Sequence, residues 1–365
     1  MKKTLVLVAA LATGATVLTP GTASAATVTA LAFPSGATKG AAWAVNGGNV
    51  AAGYVGTDTA FYAVRWNAAG ALTKLAGPSG ATKYSARDIN SGGVVVGSSE
   101  PSGAALRWSA TGALTVLKPA GGKAFAWASG INDSGVAVGA SNDANGQLAT
   151  VWAANGTATS FGEGAGYAIN KTGVVAGGSA VAGIGSRPTR WSATGAKTVL
   201  PVAAGQTIGS AAGINDSGVV AGTTLPYTNG IPGVTRAQAW NADGTLRNLP
   251  CLPGSTGGTV KAADLARIAP PSVKDLLART VKDSGTTFRL AAGQCASIAY
   301  AVRNDGAIVG GINDGTTSRA VRWNPDGTVT SLGFLSGTTT SLALGTNETG
   351  TTVGTSGTKP VRWNG

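Results

Sequence analysis

Hydrophobic and polar residues follow a pattern that returns seven times along this chain. Each copy has an alternating segment that ends in Trp, a short turn with Gly, a second alternating segment, and an Asn-centred turn that leads into Val-Val-x-Gly. Alternation with period two between such turns predicts β-strands joined by hairpins, and two hairpins per copy predict four strands. The repeated positions are Trp66, Trp108, Trp152, Trp191, Trp240, Trp323 and Trp363, and Gly53, Gly97, Gly139, Gly177, Gly222, Gly310 and Gly354.

The length of the repeat predicts the architecture. Four copies have the same spacing from Trp to Gly, whereas the copy from Trp240 to Gly310 is longer by an insertion. Without the insertion each copy has about 40–45 residues, the size of a four-stranded propeller blade. We therefore predict an all-β fold, a seven-bladed β-propeller. The strand before the Asn turn should be innermost, so that small residues face the crowded axis.

The two ends of the chain predict how the ring closes. The chain stops at Val361-Arg362-Trp363, one strand into an eighth copy, and residues 28–31 belong to the strand that should follow it. We expect these N- and C-terminal strands to pair within one blade and to close the propeller. An open solenoid would instead need distinct polar caps at both ends.

Composition divides the chain into a leader and one repeat domain. Residues 1–25, with Lys2, Lys3, an apolar run and Ala23-Ser24-Ala25, are predicted to be a cleaved signal peptide. Residues 26–365 are predicted to be the propeller, since Gly, Thr and Val are frequent and evenly spaced Trp residues argue against disorder. No later segment is long and apolar enough to span a membrane, so we expect a soluble, secreted, extracellular protein.

The insertion, residues 257–294, is predicted to contain two short helices. The first runs from Val260 to Ile268, and after Pro270-Pro271 the Ser272 and Asp275 pair is a capping pattern for the second. We expect an interaction surface here, made by Arg267, Leu276, Leu277 and Arg279. Cys251 and Cys295 flank the insertion, and two cysteines in an exported chain favour a disulfide between them.

The repeat resembles that of the extracellular HAF-repeat proteins over essentially all of the mature chain. Ala63-Val64-Arg65-Trp66, Ile89-Asn90 and Val95-Val96-Gly97, with their copies, are similar to the family pattern His-Ala-Phe-x-Trp followed by Ile-Asn-x-x-Gly-x-Val-Val-Gly. The resemblance implies secretion and a repetitive β architecture, but no catalytic role. In place of the family histidine this chain has Tyr62, Ala104, Leu148, Arg187, Arg236, Arg319 and Lys359.

The chain lacks the residues of most catalytic and metal sites. It has no histidine, which excludes Ser-His-Asp and Cys-His nucleophiles and His-based zinc sites. Most acids fall in turns, so we predict no enzyme activity, no metal and no cofactor. The enzyme alternative is a glycosidase with two carboxylates facing each other in the channel mouth. Trp43, Tyr167 and Tyr300 are interpreted as core rather than as a ligand platform.

Charge suggests a binding face. The net charge is +12, and acids concentrate in the tight turns, at one face of the predicted disc. The opposite face should carry Lys39, Lys83, Lys123, Arg187, Arg236, Arg319 and Lys359. We predict a lectin-like module that binds an anionic glycan or cell-envelope polymer there. The alternatives are solvated loop residues without a ligand, and a scaffold whose insertion docks a partner protein. Nucleic acid is disfavoured, because no repeated exposed aromatic row accompanies the charge.

Overall fold

The computed structural model describes residues 26–100, 103–181, 185–228, 231–261 and 287–364. These residues form β-strands and contain no helix. We number the repeat units one to seven in chain order.

In chain order the strands are β1 (Thr27–Ala30); in unit one β2 (Lys39–Val45), β3 (Ala51–Gly56), β4 (Phe61–Trp66) and β5 (Leu72–Lys74); in unit two β6 (Lys83–Ile89), β7 (Val95–Glu100), β8 (Ala105–Trp108) and β9 (Leu114–Leu117); in unit three β10 (Phe125–Ile131), β11 (Ala137–Asp143), β12 (Gly146–Trp152) and β13 (Ala158–Glu163); in unit four β14 (Ala165–Ile169), β15 (Val175–Val181), β16 (Gly185–Trp191) and β17 (Lys197–Val199). Unit five has β18 (Ile208–Ile214), β19 (Val220–Leu225), the ribbon β20 (Tyr227–Thr228) and β21 (Ile231–Pro232), β22 (Arg236–Trp240) and β23 (Leu246–Asn248); the insertion has β24 (Gly258–Lys261) and β25 (Thr287–Leu290); unit six has β26 (Ala296–Val302), β27 (Ile308–Asn313), β28 (Ser318–Trp323) and β29 (Val329–Ser331); unit seven has β30 (Ser341–Thr346), β31 (Thr352–Ser356) and β32 (Lys359–Asn364).

Each unit builds four adjacent antiparallel strands whose order follows the sequence, as in β10-β11-β12-β13. Units one and two join into a larger sheet through a single parallel pair between Phe61 and Lys83, and units three to seven form separate four-stranded sheets. The first strands of the units gather at the centre. Each contacts the first strand of the next unit in the order β2, β6, β10, β14, β18, β26 and β30, and β30 contacts β2. The predicted order of strands within a unit is confirmed.

A chain of amide hydrogen bonds links the units at the ends of the first strands. Asn46 Nδ2 donates to the carbonyl oxygen of Asn90 at 3.0 Å, and Asn347 donates to the carbonyl oxygen of Asn46 at 2.9 Å. Arg303 takes the Asn position in unit six. Side chains that donate from one unit to the next in this manner are Asn46, Asn90, Asn132, Asn170, Asn215 and Asn347.

The repeated glycine lies against a β-bulge in the first strand. Gly97 pairs with Ala86, where the register shifts so that Arg87 has no partner across the strands. A Cβ atom on Gly97 would lie 1.9 Å from the carbonyl oxygen of Ser85, a distance that no side chain tolerates. Only glycine therefore fits at this position of the repeat.

The repeated Trp side chains are buried between units, each at most 2% exposed. Trp66 Nε1 donates to the carbonyl oxygen of Ala32 at 2.8 Å, and Trp108 Nε1 donates to that of Ala76 at 2.7 Å. Both acceptors follow the outermost strand of the preceding unit. The Trp residues are therefore packing elements between units, because each ring is enclosed and the N–H groups of six of the seven are bonded to the preceding unit, Trp191 being the exception.

Arginines one residue before the repeated Trp connect the turns of neighbouring units. Arg65 Nη1 donates to the carbonyl oxygens of Gly93 at 3.3 Å and Ala110 at 2.8 Å, which lie in the two turns of unit two. We call this contact an arginine clamp. The clamps are made by Arg65, Arg107, Arg190 and Arg362.

The terminal strands pair as predicted. In the antiparallel β1–β32 pair, Val28 lies opposite Trp363 and Ala30 lies opposite Val361. Strand β1 thereby becomes the outermost strand of unit seven, whose other three strands come from the C-terminal end.

The base of the insertion is a β-hairpin fixed by a disulfide. Cys251 and Cys295 are bonded, with an S–S distance of 2.06 Å, which confirms the predicted pair. Val260 and Lys261, assigned above to a helix, lie in β24 and pair with β25, so that part of the prediction is wrong. Val260 is buried in an apolar cluster with Leu290, Ile298 and Leu342, which favours the paired strand. The rest of the predicted helices, with Arg267, Leu276, Leu277 and Arg279, lies outside the described residues.

Candidate functional site

Large side chains from different units meet at the centre of the molecule. The bulge residue of each first strand has no partner in the strand ladder, and in units one and six these residues are Trp43 and Tyr300. Their rings contact each other edge to face, with centroids 6.4 Å apart, although unit seven separates their units along the chain. The expectation that small residues face the axis is therefore wrong, because the bulge turns its side chain out of the ladder and toward the centre.

Two aromatic residues on the first strands of units three and four make a second contact. Trp127 stacks on Tyr167, with centroids 5.7 Å apart and an interplanar angle of 18°. Phe125, two residues before Trp127 and on the same side of β10, is 45% exposed. We call Trp43, Arg87, Trp127, Tyr167 and Tyr300 the central cluster. Tyr300 is buried, and Trp43 and Tyr167 are half-buried, which agrees with their core interpretation, although their position also places them where a ligand could enter.

Arg87 is the cation of the central cluster. Its guanidinium group lies 4.5 Å from the ring centroid of Trp43, in a cation–π contact. Burial lowers the pKa of Arg87, and the nearby Tyr54, Glu100 and Tyr300 partly offset this effect. Within the described part of the chain, the guanidinium donates no hydrogen bond and forms no salt bridge.

The seven basic residues predicted as a binding face lie on one side of the molecule. Each is at the start of a first or third strand, or in the link just before it, and each belongs to a different unit. We call this the link side. The structure describes all seven positions, Lys39, Lys83, Lys123, Arg187, Arg236, Arg319 and Lys359.

Three of these basic side chains are engaged within the chain. Lys39 Nζ lies 2.7 Å from Asp58, Lys123 Nζ lies 2.8 Å from Asp143, and Arg236 donates to the carbonyl oxygen of Cys295 at 2.7 Å. The other four have neither a salt bridge nor a side-chain hydrogen bond to any described residue. These unpaired cations are Lys83, Arg187, Arg319 and Lys359.

Acids also occupy the link side, so the predicted separation of acidic and basic faces is incomplete. Asp143 and Glu100 are the last residues of second strands, and Asp58 and Asp314 lie just after second strands. The hydrogen bond from Lys39 lowers the pKa of Asp58, and that from Lys123 lowers the pKa of Asp143. Sequence reasoning missed these acids because they lie where second strands end and links of unequal length begin, so that the repeat gives no common register there.

Asp88 is the one acid within the seven described first strands. Its carboxylate accepts hydrogen bonds from the backbone N–H groups of Ile89 and Ile131, both at 2.8 Å. Burial raises the pKa of Asp88 to about 7, despite these hydrogen bonds, and the charge of Asp133 acts in the same direction. Among the residues that the structure describes, no three Asp, Glu, His or Cys side chains gather as a metal site requires.

The described residues contain no helix long and apolar enough to cross a membrane.

Comparisons with known proteins identify the fold. No family model and no curated protein matches this chain. It is similar to an inactive histidine-to-alanine variant of virginiamycin B lyase from Staphylococcus aureus bound to quinupristin, with a TM-score of 0.56, 10% identity, and coverage of 93% of this chain and 99% of that chain. A streptogramin B lyase matches with a TM-score of 0.55, 9% identity, and coverage of 93% and 97%. At these identities the similarity shows the fold alone, an all-β propeller.

The same comparisons correct the prediction that the chain is not an enzyme. Both matching propellers are lyases, so the expectation that this architecture has no catalytic role here is contradicted, and we withdraw it. The inactive lyase has alanine in place of a histidine, and this chain contains no histidine. A histidine-dependent step therefore cannot be transferred to this chain, although its propeller fold is one that enzymes use.

Proposed function

We propose that this protein is a secreted, seven-bladed β-propeller of the HAF-repeat type, closed into a ring, that binds an anionic glycan of a cell envelope in a lectin-like manner. The ligand would lie on the link side, over the central cluster.

Ring closure is supported by contacts between the first and last units. Strand β30 contacts β2, and Asn347 donates a hydrogen bond to Asn46 across the same boundary. The β1–β32 pair joins the two ends of the chain. Secretion is supported by the leader-like residues 1–25 and by the disulfide, which is a bond of oxidising compartments.

The observation that supports binding is the combination of aromatic rings and unpaired cations on one side. Aromatic faces such as those of Phe125 and Trp127 can pack against the apolar faces of sugar rings, and Arg87 can donate to an anionic substituent. Lys83 begins a first strand, and Arg319 and Lys359 lie at the start of third strands on the same side; without partners in the described chain, they would attract a polyanion.

A charge-reversal experiment tests the proposal. We expect the triple substitution Lys83→Glu, Arg319→Glu and Lys359→Glu to weaken binding of polygalacturonate or of a phosphodiester-linked wall polymer by about tenfold or more, because three favourable charges become unfavourable. Added salt should weaken binding by the wild-type protein in the same direction.

The matched control reverses three exposed cations away from the link side, Lys171, Lys197 and Arg247. It changes the net charge equally and should leave affinity nearly unchanged. Equal losses in both variants would mean that only net charge matters, and undiminished binding by the first variant would contradict the proposed site.

A further inference from the structure

The arginine clamps define a recurring binding geometry for a guanidinium group. Each clamp arginine donates to two carbonyl oxygens of the next unit. One belongs to the residue three positions after the Asn position, and the other to the residue two positions after the repeated Trp. For Arg65 these residues are Gly93 and Ala110. Arg190 donates to the equivalent oxygens of Gly218 and Ala242. Two turns of one unit thus form a carbonyl cage, and the arginine side chain of the preceding unit fills it.

Unit five lacks the arginine that would fill the cage of unit six. Its residue before Trp240 is Ala239, and the residue paired with Ala239 on the outermost strand is Arg247. In the other units that paired residue is threonine: Arg65 pairs with Thr73, Arg107 with Thr115, Val151 with Thr159, Arg190 with Thr198, Arg322 with Thr330 and Arg362 with Thr29. Unit five therefore lacks both the arginine before the repeated Trp and the threonine that pairs with it. We call these two residues the clamp pair.

A pocket lies where the missing clamp would be. Gly306, Trp323, Asn324 and Gly327 of unit six line one wall, and Arg247 lies at the other. The cage oxygens at this boundary belong to Gly306 and Pro325, and no donor among the described residues reaches either of them.

The boundary between units three and four shows that a missing arginine need not leave a gap. Val151 takes the clamp position there, and Phe161 fills the space, since its ring lies 3.1 Å from where a Cβ on Gly195 would be. Unit five supplies no such ring at the equivalent place. At the boundary between units five and six, a pocket therefore remains where the arginine is missing.

We propose that this pocket binds the guanidinium group of an arginine side chain on a partner protein. Two carbonyl oxygens on adjacent turns suit a planar group with several N–H donors better than a compact ammonium group. Asp326 lies in the turn between the pocket residues Asn324 and Gly327 and favours a cation, whereas Arg247, which lines the pocket, opposes one. The pocket is on the turn side, opposite the link side, so that it does not depend on glycan binding.

Calorimetry or NMR titration with N-acetyl-arginine amide tests this site, with N-acetyl-lysine amide as the control probe. We expect the arginine probe to bind with a Kd of about 1–10 mM, the range of a few hydrogen bonds, and the lysine probe to bind at least several-fold more weakly. Arg247→Thr, which restores the threonine of the other units, should tighten binding several-fold. Equal binding of the two probes would overturn the proposal.

The double variant Ala239→Arg/Arg247→Thr recreates the clamp pair of unit one and should abolish probe binding while raising the melting temperature. If the probe still binds this variant, it occupies another place and the proposal fails. If Arg247→Thr instead lowers the melting temperature and binds no probe, Arg247 itself fills the cage in solution, and the partner assignment is wrong. Circular dichroism would confirm that each variant is folded.

Discussion

Asp88 is the residue whose titration should control stability near neutral pH. Because burial raises its pKa to about 7, the folded state binds this proton more tightly than the unfolded chain, whose carboxyl has a pKa of 3.8. The unfolding free energy should therefore fall as the pH rises from about 4 to about 7, by on the order of 4 kcal/mol, and then level off. Thermal melts at pH 5 and pH 8 would measure this difference.

The chain offers a clean background for that measurement. It has no histidine, and the carboxyls with lowered pKa, such as Asp243 and Asp326, are already ionised at pH 5. Asp88→Asn should remove the pH dependence and also lower stability at pH 5, since the amide N–H₂ group would face a backbone N–H donor of Ile89 or Ile131. A variant that kept the full difference between pH 5 and pH 8 would assign the titration to another group.

Residues that recur in every unit could be predicted from the sequence, and residues that occur once could not. Trp66 and its copies are recognisable because the same contact between neighbouring units recurs at each boundary. Arg87 and Trp43 meet across units through bulges, and nothing in their sequence neighbourhood indicates that contact. Asp88 is adjacent to Arg87 in the chain, yet one of its two partners, Ile131, lies in unit three and becomes visible only in the folded structure.

Among the elements, the arginine clamps should contribute measurably to stability. Arg107 donates to the carbonyl oxygens of Ala153, Ala154 and Gly135 in the next unit. Arg107→Ala should lower the unfolding free energy by about 2–3 kcal/mol, because charged hydrogen bonds are lost and carbonyl groups are left without donors. A decrease of about 3–6 °C in the melting temperature is expected.

Arg322→Ala is the matched control for this substitution. Arg322 has the same place in the repeat, but its side chain donates to Asn324 within its own unit. Its loss should change the melting temperature by less than about 2 °C. Similar effects of both substitutions would show that the clamp hydrogen bonds do not hold neighbouring units together.

In the insertion, the sequence predicted the disulfide correctly but not the strand that contains Val260. The disulfide followed from the number and placement of Cys251 and Cys295, since few alternatives exist for two cysteines. Val260, by contrast, fits the apolar pattern of a short helix as well as that of a strand. Its strand conformation depends on pairing with Phe288, a partner that the helical pattern did not consider.

At the scale of the whole molecule, strand order and the pairing of the termini could be predicted because each repeated unit has the same internal order. The last unit lacks its outermost strand, and the first strand of the chain has no other unit to join. Pairing β1 with β32 is then the arrangement that leaves neither strand without a partner. The charge distribution was less predictable. Links between hairpins differ in length and composition, so acids such as Asp58 and Asp143 have no repeat register to place them.

Deleting the C-terminal strand tests how far the molecule depends on β32, the strand that carries contacts from unit seven to unit one. Removal of residues 359–364 takes out β32, an inner strand of unit seven, together with the buried Trp363 and the clamp of Arg362. It should leave β31 as an exposed edge and cause aggregation or a loss of more than about 10 °C in melting temperature.

Deleting residues 26–30 is the matched control, because it removes β1, which lies at the outer edge of the same sheet and is mostly exposed. That variant should remain monodisperse in light scattering and lose only a few degrees. Equal and small losses in both variants would contradict closure, since an open arrangement would tolerate the loss of its last strand as readily as that of its first. A large loss confined to the C-terminal deletion is expected, because only that strand is paired on both edges and joins unit seven to the turns of unit one.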